Sequence, residues 1–374
     1  MKEIDVYADF DFLKNAEKIG TLGYEQVRGN EHFAFSYDAD WLHNHGGLLL
    51  SGDVLNVRGV QHPRDDVFGF VKDSFPDRWG RLLLDRRERI LAESENRPIR
   101  SLSNYDYLVG IEDFTRMGGI RYKAQGDENT IPPFENLREL CDACHELEQA
   151  EERHELPEER WLNQLIAPGT SLGGARPKAN IADTNGKLFV AKFPSKKDLE
   201  DTELIEYFSQ HLAASSGIHV AETKVAKISR NHHILLSERF DRTADGRRIH
   251  FASAMALLGL QDGDGCNTGH GYLDIVDFIV KGCVNARQNL QELYRRVAFN
   301  VLFGNTDDHF RNHGFILTAK GWTLSPAYDI NPSARQHQCL LIDPYTEQSN
   351  IRALLAASEY YMLDSHEAQE IVEE

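Results

Sequence analysis

The segment of residues 304–312, GNTDDHFRN, has the clearest capacity for chemistry in this sequence. Its Asp307 and Asn312 are separated by four residues, which is the D-x-x-x-x-N spacing of loops that catalyse phosphoryl transfer. Such a reaction needs a carboxylate to orient the attacking hydroxyl and an amide oxygen to bind Mg²⁺. Asp329, after the hairpin that follows, could supply a second, acidic metal ligand. Taken alone, the segment also fits a polar turn whose short side chains bond to their own backbone.

A glycine-rich loop and a lysine upstream supply other parts that an ATP-using enzyme requires. The loop contains Ser171, Gly173 and Gly174. Its glycines would let backbone N–H groups approach a phosphate. Lys192 follows in a predicted apolar strand, and its charge needs phosphate oxygens and a carboxylate of the next helix, either Glu203 or Glu206. A lone glycine loop is ordinary turn chemistry, but the order of glycine loop, lysine, glutamate, D-x-x-x-x-N and aspartate favours a nucleotide site.

The elements that would position these residues follow from the spacing of apolar side chains. Residues 1 to about 60 alternate short apolar stretches with glycine and asparagine, which predicts short antiparallel strands. A helix is predicted from about residue 75, with Trp79 and Leu83 on its apolar side, and Asn185-Gly186 predicts a hairpin turn. The other predictions are a helix at about 199–215, strands at 220–228 and 233–240, helices at 254–260, 273–280 and 290–302, and short apolar segments at 315–317 and 322–324.

An acidic stretch at residues 135–159 lies between the strand-rich start of the chain and the glycine loop. Its apolar residues recur at three- and four-residue intervals, which predicts a surface helix that passes between two domains. It contains a C-x-x-C-H motif at Cys141 and Cys144. Haem attachment to such a motif occurs outside the cytoplasm, so we expect surface or half-buried thiols on different faces of the helix.

Six short segments resemble the HipA family, the serine/threonine kinase toxins of HipBA-type toxin-antitoxin modules. They are SLGGARPKA, VAKFP, LAASSGI, SERFDR, NTDDHFRN and SPAYD. In the N-terminal third, FAFSY with WL, and then GFVKDSFPDRWG, are similar to the N-terminal subdomain of that family. The resemblance covers about residues 15–340, and the pairing of SLGGARPKA with NTDDHFRN is specific.

The resemblance implies a role for each candidate residue. Asp307 would be the catalytic aspartate, Asn312 and Asp329 the magnesium ligands, Lys192 the ATP-phosphate lysine, and Glu206 its ion-pair partner. Ser171, Gly173 and Gly174 would form the phosphate loop, Glu238 and Phe240 the hinge that meets adenine, and His309 a further nucleotide contact. Ser171 falls on the serine that the family autophosphorylates. The implied cofactors are ATP and magnesium.

The fold that the resemblance implies is α+β, with a bilobal protein-kinase-like core behind a β-rich N-terminal subdomain. The core would combine a small β-rich N-lobe with a helical C-lobe. The predicted division is 1–125 for the N-terminal subdomain, 126–160 for an acidic helical connection, 161–245 for the N-lobe with its phosphate loop, and 246–374 for the C-lobe.

The function that the resemblance implies is that of an ATP- and magnesium-dependent serine/threonine protein kinase, the toxin of a type II toxin-antitoxin system. Its target would be a translation component such as an aminoacyl-tRNA synthetase. A helix-turn-helix antitoxin would neutralise it and bind operator DNA. The net charge of −18 fits an acidic kinase that reaches DNA only through such a basic partner.

Three other functions are compatible with parts of the pattern. A small-molecule kinase can share the D-x-x-x-x-N loop and a distant aspartate. A metal-dependent phosphohydrolase could use Asp307, Asp308, His309, His313 and Asp329, although Lys192 and the glycine loop would then have no purpose. A catalytically silent module could bind an antitoxin without transferring phosphate.

Length and composition limit the class of protein. The 374 residues, 41% hydrophobic and 27% charged, indicate a folded globular chain and exclude a disordered one. No apolar run approaches the roughly 18 residues of a membrane span, and the acidic start is unlike a signal peptide. We therefore expect a cytoplasmic protein that does not bind membranes. Five cysteines, an odd number, favour reduced thiols over a disulfide framework.

Overall fold

The computed structural model describes residues 1–76, 78–123, 137–153, 176–196, 198–333, 335 and 337–374. The strands are β1 Lys2–Ala8, β2 Glu17–Val27, β3 Asn30–Tyr37, β4 Val60–Gln61, β5 Ile120–Lys123, β6 Lys178–Ala182, β7 Leu188–Lys192, β8 Thr223–Lys227, β9 His233–Glu238, β10 His250–Ser253, β11 Gly314–Thr318 and β12 Gly321–Leu324. The α-helices are α1 Ala39–His45, α2 Gly69–Lys72, α3 Arg78–Ser94, α4 Asn104–Gly110, α5 Leu137–Arg153, α6 Thr202–Ser215, α7 Ala254–Leu258, α8 Tyr272–Gly282, α9 Ala286–Phe303, α10 Ile351–Ala356 and α11 Ser365–Glu373. Short 3₁₀ helices lie at Cys266–Thr268, Phe310–Asn312 and Ser358–Tyr361.

The first sheet has the strand order β4-β3-β2-β1-β5, and its neighbours pair antiparallel as the sequence predicts. In β1 every second side chain, Ile4, Val6 and Ala8, is buried, because successive residues of a strand point to opposite faces. The chain returns to this sheet through β5, which pairs with β1 after about a hundred intervening residues.

The first sheet region is fastened to α7, far along the chain. A side chain at Gly69 would place its Cβ 2.4 Å from the carbonyl oxygen of Ala256, so this close approach requires glycine. Asp73 accepts hydrogen bonds from the backbone N–H (2.6 Å) and hydroxyl (2.7 Å) of Ser253. Ser253 in turn caps α7 through the N–H of Ala256. The N-terminal region therefore forms part of the support of the later helices.

The second sheet, β6-β7-β9-β8, is also antiparallel and begins with the predicted hairpin. Gly186 adopts φ +80° in that turn, a conformation that glycine reaches without strain. Buried residues of α3 and α5 share one hydrophobic cluster with this sheet, including Trp79, Leu147, Ala191 and Phe193. Helix α5, which lies within the predicted acidic connection, therefore covers the second sheet with its apolar side.

The prediction of surface or half-buried thiols in α5 was wrong. Cys141 and Cys144 are 1% and 0% exposed, and both belong to the cluster between α5 and the sheet. Residues three apart in a helix lie on the same side, so the two thiols enter the core together. Burial raises the pKa of the Cys144 thiol, which leaves it protonated and unreactive.

The third sheet, β10-β11-β12, packs against α8 and α9 in the helical part of the chain. Tyr272, Leu290, Tyr294 and Phe315 are each fully buried there. The mixed α/β class with antiparallel sheets agrees with the sequence prediction. Within the residues that the structure describes, no helix combines the length and apolarity needed to cross a membrane.

Candidate active site

Three of the predicted site residues meet in one ionic cluster. The Lys192 Nζ at the end of β7 lies 2.7 and 2.9 Å from the two carboxylate oxygens of Glu206 on α6. The same nitrogen lies 2.6 Å from Oδ1 of Asp329. The Lys192 and Glu206 side chains are 14% and 5% exposed, whereas Asp329 remains 44% exposed. The cluster therefore opens to solvent on its Asp329 side.

The position of Glu206 follows from how α6 is attached to the sheet. Asp201 caps the helix by accepting from the N–H of Leu204, and it also binds the ring of His233 on β9 at 2.5 Å. One turn beyond Glu206, the Gln210 amide donates to the same carboxylate at 3.2 Å. The start of the helix is thus fixed to the sheet through Asp201, and Gln210 of the same helix orients the glutamate that faces Lys192.

Lys192 and Asp329 both stay ionised at neutral pH. Burial alone would lower the pKa of Lys192, but the charges of Asp329 and Glu206 outweigh it and raise that pKa above its usual value. In return, the lysine charge lowers the pKa of Asp329 to about 2. The Asp329 carboxylate is therefore already paired with one cation, the ammonium group of Lys192.

Asp329 has an unusual backbone conformation and is held by its neighbours. Its φ of +58° lies in the left-handed region, where aspartate is tolerated better than most residues but where strain often marks functional positions. Just before it, the Tyr328 hydroxyl donates to the carbonyl of Arg311 at 2.6 Å. Ala327 exchanges backbone hydrogen bonds with the segment 219–221. These bonds join the Asp329 segment to both the catalytic loop candidate and the segment that leads into β8 of the second sheet.

The predicted catalytic loop follows directly after α9. Gly304, with φ +84°, ends that helix, and the chain then turns so that the carbonyl of Asp307 accepts from the His309 N–H at 3.0 Å. The Asn312 side-chain nitrogen donates to the same carbonyl at 3.4 Å, which leaves the amide oxygen available as a ligand. The Asp307 carboxylate itself is 58% exposed. The turn thus brings Asp307, His309 and Asn312 together and leaves the acid accessible.

The neighbouring Asp308 supports the loop from inside, a role that sequence reasoning missed. Its Oδ2 accepts from the Tyr272 hydroxyl (2.8 Å), the Asn300 amide (2.7 Å) and the His313 ring (2.7 Å). Burial would raise the pKa of Asp308, but His313 and these hydrogen bonds hold it below its usual value. The sequence offered one signal for this role. Side chains of adjacent residues in an extended loop point in opposite directions, so only one of Asp307 and Asp308 can face the substrate.

The two hinge candidates have different surroundings. Glu238, the last residue of β9, pairs with Lys187 at 2.5 Å. The Phe240 ring lies 5.7 Å from that of Tyr328 and 5.8 Å from that of Phe251. Phe240 is therefore next to the Asp329 segment, whereas the Glu238 carboxylate is engaged on the sheet.

Between those two candidates lies a buried charge cluster that the sequence did not indicate. Arg239 donates to both carboxylate oxygens of Asp241 (2.8 and 2.6 Å) and to the carbonyl of Thr115 (2.6 Å). The Gly118 N–H donates to the same carboxylate at 2.7 Å, and Arg242 adds a second cation. Burial would raise the pKa of Asp241, but the two arginines hold it well below its usual range. The cluster joins the end of β9 to the N-terminal region.

The predicted phosphate loop residues Ser171, Gly173 and Gly174 lie outside the described residues. The described chain resumes at Arg176, whose guanidinium binds Asp198 (3.0 and 2.5 Å) and Glu203 (2.7 Å). Of the two candidate helix glutamates, Glu203 is therefore paired with Arg176, and Glu206 is the one that contacts Lys192.

The donor set fits magnesium better than a metal that needs a complete protein cage. Within the described ranges, no group of three or more histidine, cysteine, aspartate or glutamate side chains could hold a metal ion. Magnesium, in contrast, is bound by one or two protein ligands together with phosphates and water. Asp329, whose side chain is 44% exposed, and Asn312, on the loop to which the Asp329 segment is hydrogen-bonded, match that requirement.

Two family models together cover most of the chain. Residues 11–104 match the HipA N-terminal domain, and residues 170–374 match the HipA-like C-terminal domain. Because the second match alone covers more than half of the chain, this protein belongs to the HipA family.

Individual relatives give the same result. The chain is 27% identical over 341 residues to the serine/threonine-protein kinase toxin HipA of Shewanella oneidensis, which covers 83% of this chain and 72% of that protein. It is also similar to the solved structure of the Shewanella oneidensis HipA in complex with HipB and operator DNA. That likeness has a TM-score of 0.70 at 20% identity and covers 99% of this chain and 87% of the other. It shows a shared fold.

Proposed function

We propose that this protein is an ATP- and magnesium-dependent serine/threonine protein kinase. The observation that carries the proposal is the buried Lys192–Glu206 pair in contact with Asp329, whose segment is hydrogen-bonded to the loop of Asp307 and Asn312. Protein kinases place a strand lysine, a helix glutamate and two metal-binding side chains in this relation. The relative named as a serine/threonine kinase toxin supports it. In this proposal the second sheet with α6 is the N-lobe, and the part from residue 246 onward is the C-lobe.

In the proposed reaction, Asp307 orients the acceptor hydroxyl toward the γ-phosphate of ATP. The hydroxyl oxygen forms a bond to the γ-phosphorus while the bond from that phosphorus to the β–γ bridging oxygen breaks. The hydroxyl proton passes to Asp307, and ADP leaves. Lys192, held by Glu206, places its charge beside the phosphates. Magnesium on Asp329 and Asn312 would neutralise charge on the transferring group.

The alternative of a metal-dependent phosphohydrolase is disfavoured by the placement of two of its residues. Asp308 and His313 are 5% and 2% exposed at their side chains and bind each other at 2.7 Å. Neither can reach a substrate without breaking the support of the loop. That function would also leave the Lys192 cluster without a role.

The experiment that tests the proposal incubates the purified chain with labelled ATP and magnesium. Label in protein, and none in low-molecular-weight acceptors, is the expected result. Label in a metabolite would indicate a small-molecule kinase, and hydrolysis of a generic phosphoester without nucleotide would indicate a phosphohydrolase. Calorimetry without detectable ATP binding would indicate a silent binding module.

The finer proposal is that the protein is a toxin that inhibits translation in the cytoplasm, with an aminoacyl-tRNA synthetase as the target class. A helix-turn-helix antitoxin would bind it and carry it to operator DNA. The related solved structure, which holds HipA with HipB and operator DNA, supports such a partner. Growth arrest on expression, relieved by the protein from the neighbouring gene, is the expected result.

Substitution of Asp329 by alanine should weaken magnesium-dependent nucleotide binding by about 10- to 100-fold, the range seen when groups that support a metal are lost. The reason is that the acidic ligand would be gone while the Asp307 carboxylate remains. Nucleotide affinity measured across a magnesium titration checks it, with Asp277→Asn, an exposed remote acid, as the control. Unchanged magnesium dependence would place the metal elsewhere.

Incubation with magnesium and ATP should produce one phosphoserine, at Ser171. In the phosphate loop that we propose for Ser171, a phosphate would add about −1.5 to −2 charges that repel the phosphates of ATP, so the modified chain should lose ATP affinity. Mass spectrometry of the wild type and of the Ser171→Ala and Asp307→Asn variants checks it, since both variants should lack the mark. An active enzyme without phosphate at Ser171 would contradict the prediction.

A further inference from the structure

The Asp307 carboxylate has two side-chain partners that the proposed function does not use. Nη1 of Arg335 donates to Oδ1 of Asp307 at 2.8 Å. The Cys339 thiol lies 3.5 Å from the same oxygen. Burial and the nearby Asp307 raise the pKa of Cys339 to about 11, so this group is an S–H donor at neutral pH. In the described contacts of the carboxylate, both donors therefore fall on one oxygen.

The segment that carries these donors follows the catalytic loop closely. We call Ser333, Arg335 and residues 337–339 the strap. The Ser333 N–H donates to the carbonyl of Gly304 at 2.9 Å, and the Cys339 N–H donates to that of Thr306 at 3.0 Å. On its outer side, the Cys339 carbonyl accepts from the N–H of Cys266 at 2.8 Å.

These backbone bonds fix the strap at both ends of the contact with Asp307. The Arg335 side chain reaches the carboxylate from a position between Ser333 and Cys339, whose N–H groups are bonded to the loop on which Asp307 lies. The distance between the guanidinium and the acid is therefore set locally and does not depend on a movement of one part of the chain against another.

We propose that Arg335 is a positioning residue for Asp307, which holds Oδ1 so that Oδ2 accepts the proton of the substrate hydroxyl. This inference rests on the proposed kinase function. A carboxylate can accept hydrogen bonds on both oxygens, and an aspartate that is 58% exposed can otherwise rotate among several orientations. A directional donor on one oxygen removes that freedom before the substrate arrives.

The expected effects on folding stability and on kcat distinguish this positioning role from a structural role. Both partners are exposed, Arg335 at 63% and Asp307 at 58%, and ion pairs of that kind add little to folding stability. Loss of the guanidinium should therefore leave the melting temperature almost unchanged. The effect should appear in kcat, because a misplaced reacting group slows the chemical step even when the substrates bind.

The test compares Arg335→Ala, Arg335→Lys and the wild type with labelled ATP and a protein acceptor. We expect Arg335→Ala to lower kcat by about tenfold, with the KM for ATP and the melting temperature unchanged. Arg335→Lys should retain part of the rate, since it keeps the charge but loses the fork geometry. Methylguanidine, added at concentrations below those that denature, should restore activity to Arg335→Ala, because the vacated site is open to solvent.

Arg287→Ala is the matched control, because Arg287 is 62% exposed and pairs with Glu367 on a remote surface. This variant should keep the wild-type kcat and show no response to methylguanidine. It separates the loss of an exposed ion pair in general from the loss of the one that contacts Asp307.

Several outcomes would overturn the inference. Wild-type kcat in Arg335→Ala would show that the contact has no positioning role. A higher kcat, or faster ATP hydrolysis without acceptor, would show that Arg335 blocks Asp307. A loss that methylguanidine does not reverse would also count against positioning. A wild-type chain without kinase activity would overturn the proposed function as well, whereas an active chain with an equally active Arg335→Ala variant overturns this inference alone.

Discussion

Replacement of Asp307 by asparagine should lower phosphoryl transfer by about 10²- to 10⁴-fold, the range for loss of a general base. Asparagine has nearly the same shape, and its amide oxygen can still accept from Arg335. It cannot accept the proton of the substrate hydroxyl, so the loss should appear in kcat. Single-turnover transfer of labelled phosphate measures it, and growth inhibition on expression should weaken in parallel.

The Asp307→Asn variant should bind ATP and magnesium like the wild type, because Lys192, Glu206 and Asp329 are untouched. Asp262→Asn is a suitable control, since Asp262 is 81% exposed and pairs with Arg311 of the same loop. It should retain activity. Wild-type turnover in Asp307→Asn would remove Asp307 from the mechanism and direct the search for the base to another residue.

Replacement of Asp241 by asparagine should destabilise the protein by about 3–5 kcal/mol, as expected when one partner of a buried ion pair is removed. The side chains of Arg239 and Asp241 are both 0% exposed, so the arginine charge would remain in the interior without its counter-ion. The carboxylate pKa is depressed in the fold. Its stabilising contribution is therefore complete above the unfolded pKa of about 4 and is lost as the pH falls through the lower folded value.

Urea denaturation at pH 7 measures this loss, with Asp277→Asn as the control. Asp277 pairs with Lys281 at side-chain exposures of 61% and 72%, so its replacement should cost about 1 kcal/mol or less. Equal midpoints for Asp241→Asn and the control would show that the buried cluster does not hold the N-terminal region in place. At a pH near 3 the difference between wild type and Asp241→Asn should shrink.

The features that the sequence predicted well depend on residues close together along the chain. The Asn185-Gly186 turn is set by the conformations of two residues, and the structure joins β6 and β7 there. The helix predicted from about residue 75 is α3, Arg78–Ser94, because its apolar spacing is a local property. Lys192 and Glu206 are only fourteen residues apart, so a strand followed directly by a helix brings them together.

The features that the sequence did not predict depend on partners that lie far away. Arg239 binds Thr115, which is 124 residues distant, and no local pattern indicates which carbonyl an arginine will reach. The buried position of Cys144 required knowing that α5 covers the second sheet. The Arg335 contact was missed for a related reason, since an exposed arginine after the proposed magnesium ligand Asp329 resembles any other charged surface residue.

The bonds between Asp73 and Ser253 also set an order of events while the chain is made. They join residues 180 positions apart, and ribosomes add about 5–20 residues per second, so about 9–36 s separate the two partners. During that interval a nascent chain can form its first sheet. Gly69 and Asp73, which contact α7 and its capping residue in the finished fold, do not yet have those partners. The proposed phosphoryl transfer needs a longer chain still, because Asp307 and Asp329 follow Ser253 in the sequence.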